Sequence, residues 1–184
     1  MPNTIAVGDI MVGHPGKALP RDLEDFMSAS KAGVILVAFG SYFDFTAPEV
    51  VRKFCDAFTD RRNRWRVIWK TKDTKVCSCG DGRIKLMPWI PQNDLLADSR
   101  VQLFISHGGF NSIIESVYHM KPLIIFPVNA DQPSNAAAAE AKGLAIRMDM
   151  GDFSSETLLS NIDKLLHDPT YICLLYTSPS PRDS

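Results

Sequence analysis

The sequence predicts an α/β fold, a parallel sheet covered by helices on both faces. Residues 34–39 form an unbroken apolar, β-branched run closed by Gly40-Ser41, the pattern of a strand buried on both sides. Short apolar runs of this kind then alternate with stretches of helical apolar period, and repeated β-α units of such length imply parallel strands with crossover helices. With 184 residues, 45% hydrophobic and 22% charged, the chain has ordinary globular composition and enough length for one domain with its own core.

Taken in order, the first strand is followed by a helix. Thr46 and Glu49 have capping-box spacing around Pro48, and Val50, Val51, Phe54, Ala57 and Phe58 repeat at helical period. Further strands are expected near 66–69, 84–87, 102–106, 123–126 and 144–148, with helices near 111–119, 134–142 and 156–167. Alanines at 136–139 and 141 with Gly143 read as a close-packed helix and its stop, and Leu158, Leu159, Ile162, Leu165 and Leu166 form an apolar stripe. The domain is read as residues 1–171. From 172 to 184 the pattern breaks into ICLLYTSPSPRDS, which looks like translated cloning or adaptor sequence. Pro179 and Pro181 disfavour regular structure, so residues 176–184 are expected to add nothing to the fold.

Several function classes are disfavoured at once. A formal net charge of -1 supplies no basic field for nucleic acid or an anionic membrane. The start carries no basic n-region, and the longest apolar runs are six residues, whereas a membrane span needs about 20. A soluble chain without signal peptide, transmembrane helix or membrane contact is therefore expected. Cys55, Cys77, Cys79 and Cys173 show neither metal-ligand spacing nor an obvious disulfide framework, so no metal is expected. No G-x-G-x-x-G follows a strand and no G-x-S-x-G elbow is present, which argues against a dinucleotide oxidoreductase and an esterase. His14, His119 and His167 read as structural or exposed.

In a parallel sheet of this type ligands sit outside the carboxyl ends of the strands, so the loops after residues 39, 87, 106 and 126 should converge on one crevice. The segment His107-Gly108-Gly109-Phe110-Asn111-Ser112 lies between a strand and a helix, where backbone N–H groups and the dipole suit an anion such as a diphosphate. His107, Asn111 and Ser112 add side-chain donors, and the glycines let the backbone come close to phosphate oxygens. Glu115 shares a helix face with Asn111 and can accept from two vicinal ribose hydroxyls. Trp89 offers a flat face for a base, and Gln92 a donor and an acceptor. Asp131-Gln132 sets an anionic acceptor beside an amide, suited to hexose hydroxyls. Each has a plainer reading when taken singly: a βα turn with Asn or Ser as N-cap, an acid drawn to a helix dipole, a core or edge tryptophan, a turn that starts a helix.

Together the residues decide otherwise. WIPQNDLL, ISHGGFNSIIE and PVNADQPSN, with Gln92, His107, Glu115 and Asp131 at fixed offsets from one another, resemble the signature of the UDP-glycosyltransferases, of the UDP-glucuronosyl and UDP-glucosyl type. Residues 1–171, including the opening MPNTIAVGDI, resemble the C-terminal, donor-binding domain of animal-type members. The resemblance implies the Rossmann-like C-terminal half of a GT-B glycosyltransferase. It implies Trp89 stacked on uracil, Gln92 on the nucleoside and Glu115 on the ribose. Ser41, His107, Gly109, Asn111 and Ser112 would hold the phosphates, and Asp131 and Gln132 the donor sugar. UDP-sugar is then a substrate, with no further cofactor.

Family members perform inverting transfer of a hexosyl or glucuronosyl group to a small lipophilic acceptor, with the acceptor pocket and base in an N-terminal domain. No catalytic residue is thus expected in this chain, which should be inactive alone. The parent protein is expected in the endoplasmic reticulum membrane, on the lumenal face. Met120 stands where a turn glycine is common, and Phe110 at a variable position of the glycine motif. A reading from another class is a non-catalytic nucleotide-binding subunit working beside a separate acceptor-binding chain.

Overall fold

The computed structural model describes residues 15–40, 47–62, 64–77, 82–168 and 171. Along the chain run α1 (Arg21–Ser28), β1 (Val34–Ala38), α2 (Pro48–Thr59), β2 (Arg66–Lys70), β3 (Ile84–Met87), α3 (Gln92–Ala97), β4 (Val101–Ser106), α4 (Phe110–Tyr118), β5 (Leu123–Ile125), α5 (Gln132–Ala141), β6 (Ala145–Arg147) and α6 (Ser155–His167). The six strands form one parallel sheet in the order β3-β2-β1-β4-β5-β6. This is the doubly wound order, and its direction reverses between β1 and β4.

β1 shows why the apolar run had to be continuous. Ile35, Val37 and Phe39 pack to one face with α2 and α6, while Val34, Leu36 and Ala38 pack to the other with α1, α3 and α5. On the first face Phe54 of α2 is fully buried at the centre of an aromatic cluster. Its ring lies 5.3 Å from Phe126, 5.0 Å from Phe153 and 5.7 Å from Trp69, centroid to centroid. On the second face Leu23 and Met27, one helical turn apart, bury α1. Arg100 ties α1 to the foot of β4, donating to Glu24 at 2.7 Å and to Asp98 at 2.6 Å.

The expected strands all form, within about two residues of their expected ends. Two helices, α1 and α3, were not expected from the sequence. Both are short, eight and six residues, and each is anchored by only two buried residues, too few for a helical period to stand out. The capping box is also corrected. α2 begins at Pro48 with Ala47 as N-cap and no side-chain cap, while Thr46 lies outside the described residues. A reciprocal capping box occurs instead at α6, where the Ser154 hydroxyl accepts from the Thr157 N–H at 3.1 Å and Thr157 Oγ1 accepts from the Ser154 N–H at 3.0 Å. Cysteine pairing is corrected too: Cys55 on α2 and Cys77 beyond β2 are joined as a disulfide, with Cα atoms 5.7 Å apart. The 172–184 tail and the opening decapeptide lie outside the described residues.

α4 ends in a Schellman turn. The Lys121 N–H donates to the Ser116 carbonyl at 2.8 Å and the Met120 N–H to Val117 at 3.0 Å, which forces Met120 to a φ of 55°. A left-handed conformation costs an L-residue roughly 1–2 kcal/mol, and Met120 is 40% exposed, so little burial offsets it. Met120→Gly is therefore expected to stabilise the fold by about 1 kcal/mol in chemical denaturation. A destabilised variant would show that the methionine side chain contributes packing worth more than the strain.

Candidate functional site

The carboxyl ends of β1 and β4 open the crevice at the switch point. Gly40 follows β1 and His107 follows β4, and the His107 imidazole lies against both Gly40 and Gly109. A Cβ on Gly109 would come within 2.6 Å of His107 Nε2, so the ring can occupy this place only beside a glycine. Gly108 has a φ of 82°, and a Cβ there would meet Ile125 Cγ2 at 2.6 Å. The His-Gly-Gly turn is thus tight for two separate steric reasons. Burial pushes the His107 pKa down, Asp131 pulls it up and Lys70 pushes it down further, which favours a neutral imidazole. Its Nδ1 stands 3.4 Å from Ser106 Oγ.

α4 begins at Phe110 with Gly109 as N-cap and no side-chain cap. Asn111 and Ser112 are hence second and third in the helix, and the plainer reading of either as the N-cap does not hold. The first turn carries no acidic residue, unlike those of α1, α2, α3 and α6. Its N–H groups face the crevice at the positive end of the helix.

A second cluster joins α3 to α4. Gln92 Nε2 donates to Glu115 Oε2 at 2.6 Å and to Ser112 Oγ at 3.3 Å. Burial raises the Glu115 pKa above its usual 4.5, and the hydrogen bond from Gln92 holds it back. Trp89 precedes Gln92 by three residues and is 67% exposed, so it is no core aromatic.

Asp131 is the N-cap of α5 and Gln132 its first residue. Ala130, directly before them, has a φ of 54°, a strained conformation in the loop that carries the pair. Asn135 Nδ2 donates to Asp131 Oδ2 at 2.6 Å and to the Gly108 carbonyl at 3.3 Å, linking this loop to the glycine turn. Gln132 behaves as the turn reading has it: its Oε1 accepts from the N–H groups of Val128 and Asn129, at 2.8 and 3.1 Å. Ser41 lies outside the described residues. Among the described residues no three His, Cys, Asp or Glu side chains gather as a metal-holding group.

With this geometry in place, comparison with known proteins is decisive at the family level. The family model described as UDP-glucoronosyl and UDP-glucosyl transferase matches residues 1–175. The chain belongs to this family. UDP-glucuronosyltransferase 2B7 of Homo sapiens is 36% identical over 172 residues, covering 93% of this chain and 32% of that protein. The 2-hydroxyacylsphingosine 1-beta-galactosyltransferase of Mus musculus is 34% identical, with 93% and 31% covered. The chain therefore spans about a third of the length of these relatives. Among solved structures, Os79 of O. sativa in complex with UDP matches with a TM-score of 0.73 at 21% identity, over 87% of this chain and 39% of that one. The glycotransferase of kitacinnamycin matches with a TM-score of 0.69 at 24% identity, over 80% and 38%. The glycosyltransferase likeness bears out the Rossmann-like sheet.

Three further residues at the candidate site of this UDP-glycosyltransferase chain were not legible beforehand. Lys70, at the carboxyl end of β2, donates from Nζ to the Gly40 carbonyl at 3.0 Å, which sets a cation beside the His107 pocket. Its place at a strand end was the available signal. Ser106 Oγ accepts from the Gly108 N–H at 3.3 Å, and Asn135 braces the same turn. A neighbouring groove of about 280 Å³ between α4 and α5, lined by Ile113, Val117 and Ala138 among others, borders the site at Phe110 and Asn135.

Proposed function

We propose that this chain holds the UDP-sugar donor for inverting transfer of a hexosyl or glucuronosyl group to the hydroxyl of a small lipophilic acceptor. One observation carries the reading: nucleoside-type and phosphate-type side chains share α4, at the point where the strand order reverses. Glu115 lies six residues beyond Gly109, about 9 Å along the helix axis, which suits a ribose joined to a diphosphate at the helix start. Trp89 stacks on the base, Gln92 reads the nucleoside, and Glu115 accepts from the ribose hydroxyls. Ser41, His107, Asn111, Ser112 and the Gly109 backbone take the phosphates, with Lys70 offsetting their charge, so the reading includes neither metal nor cofactor. Asp131 and Gln132 take the hexose, and Gln132 must then give up its bonds to the 128–129 backbone.

Residues 1–171 make up the donor-binding domain in this reading, the C-terminal half of a GT-B enzyme. The acceptor pocket and the base come from an N-terminal domain, in keeping with relatives about three times as long. A lipophilic acceptor is supported by the relatives named for 2-hydroxyacylsphingosine. For the parent protein the reading includes the endoplasmic reticulum membrane, lumenal face. The Cys55–Cys77 disulfide suits such an oxidising compartment. Among the described residues no helix is long and apolar enough to cross a membrane.

Calorimetric titration with UDP tests the site. Trp89→Ala and Glu115→Ala should each weaken binding by roughly 1–3 kcal/mol, through loss of a stacked base or of a hydrogen-bonded diol. Unchanged affinity in both variants would remove the site assignment.

Glu115 also separates binding from stability. A carboxyl whose pKa is raised on folding favours the fold in its neutral form. That contribution is present below the unfolded pKa and lost as pH rises through the folded one. A neutral amide at this position escapes that loss, so Glu115→Gln should keep or raise the thermal midpoint at pH 7 while weakening UDP binding. In the parent, UDP-sugar affinity should begin to fall at a pH above the usual carboxylate range, a limb that Glu115→Gln removes. A variant that lost stability at pH 7 and kept its affinity would contradict both statements.

A further inference from the structure

The α3–α4 seam continues past the nucleoside residues. Ser112, Glu115 and His119 are spaced by three and four residues, so they form one stripe along α4 and its C-cap. The consecutive residues Gln92 and Asn93 meet this stripe together: Gln92 bonds to Ser112 and Glu115, and Asn93 Oδ1 stands 2.9 Å from His119 Nε2. An amide oxygen only accepts, so His119 carries its proton on Nε2 and donates. The imidazole is 7% exposed, and its ring meets that of Tyr118 edge-to-face, 4.9 Å between centroids. A buried histidine is thereby held in one direction, along the helix flank that carries Glu115.

α3 needs such a brace. It has six residues, too few to be stable by itself, and its N-cap Pro91 makes no side-chain cap. Its buried residues Leu95 and Leu96 fix its second half on the sheet, whereas Gln92 and Asn93 lie in the first turn. The Lys17 N–H donates to Asp94 Oδ1 at 3.0 Å and ties this turn to the segment before α1, while Gln92 and Asn93 tie it to α4. Without the Asn93 tie the turn can shift against α4, and a shift of an ångström breaks the 2.6 Å contact of Gln92 with Glu115. His119 lies four residues beyond Glu115, about 6 Å further from the phosphate end of the helix.

We infer that His119, through Asn93, is a positioning residue for ribose recognition: it clamps the first turn of α3 to α4 and thereby holds Gln92 and Glu115 in the arrangement that reads the ribose diol. The inference rests on the proposed binding of the uridine nucleotide at Trp89, Gln92 and Glu115. It predicts a loss confined to the ribose, since the His-Gly-Gly turn is braced separately by Ser106 and Asn135.

The test compares the affinities of the full chain for UDP and for 2′-deoxy-UDP, because their ratio reports the diol contact and is insensitive to a general loosening of the fold. The parent should prefer UDP about tenfold, as one hydrogen bond to a charged group gives. His119→Phe keeps the bulk and the edge-to-face ring but loses the donor, and should compress the preference to about twofold. Asn93→Leu should do the same, and the two together should do no more than either. His119→Gln, which restores an N–H, should recover most of the preference. Hydrogen exchange should show faster opening of α3 amides in His119→Phe, with or without nucleotide. A parent that prefers UDP and a His119→Phe variant that keeps the full preference would overturn the inference and leave the site reading standing. A parent that binds UDP and 2′-deoxy-UDP equally would overturn the role of Glu115 itself, and the inference with it.

Discussion

Supplied with UDP-glucose or UDP-glucuronate and a panel of phenolic acceptors, the purified chain is expected to release no acceptor-dependent UDP. Holding the donor orders the leaving group and nothing else. Positioning a second reactant is worth up to about 7–11 kcal/mol, and proton abstraction a further ~10²–10⁴-fold; in the proposed reading both come from an N-terminal domain. Among the described residues His107 is a candidate that could be mistaken for a base. Its ring is wedged between Gly40 and Gly109 and burial favours its neutral form, but it faces the turn where the diphosphate is proposed to sit. Adding a matching N-terminal half should restore turnover, as it should for a subunit that works beside a separate chain. Turnover by the chain alone, abolished by His107→Ala, would make His107 a catalytic base and overturn the account.

Phe54→Ala is expected to be the most damaging single change to the fold. The Phe54 side chain is fully buried and touches the rings of Phe39, Phe58, Trp69, Phe126 and Phe153 at centroid distances between 5.0 and 5.9 Å. Contributions come from α2, the residue after β1, β2, the loop after β5 and the segment before α6, so the cavity cannot be closed by shifting one element. A truncation of this kind costs about 3–5 kcal/mol. For a domain of this size that lowers the thermal midpoint by roughly 10 °C. A loss under about 1 kcal/mol in urea unfolding would show that the aromatic cluster is not the keystone of this face.

Much of this architecture was legible because strands such as β1 and β5 are buried on both sides. Residues 34–39 and 123–126 could only be apolar if both neighbouring layers were helical, and the loops that follow them had to share one crevice. The candidate site was legible through local motifs: His107 to Glu115 lie on one turn and one helix, and their order alone suggests a phosphate end and a ribose end. What sequence could not show was contact between distant segments. Lys70 meets Gly40 across 30 residues, His119 meets Asn93 across 26, and Cys55 meets Cys77 across 22, and no spacing rule announces any of the three. The short helices α1 and α3 escaped for a related reason, since packing rather than propensity or period makes them helical. Gln132 shows a different limit. Its amide was read for the sugar, yet in the structure it closes its own turn.

The central claim is that a uridine diphosphate lies across the switch point, with its base at Trp89 and its phosphates at the start of α4. Amide and indole chemical-shift mapping by nuclear magnetic resonance during titration with UDP tests it most directly. The account predicts that the Trp89 indole, the Gln92 side-chain amide and the backbone of Gly108, Gly109 and Glu115 shift together on one saturation curve. Shifts confined to the groove between α4 and α5, or a Trp89 indole unmoved while the glycine turn saturates, would contradict it.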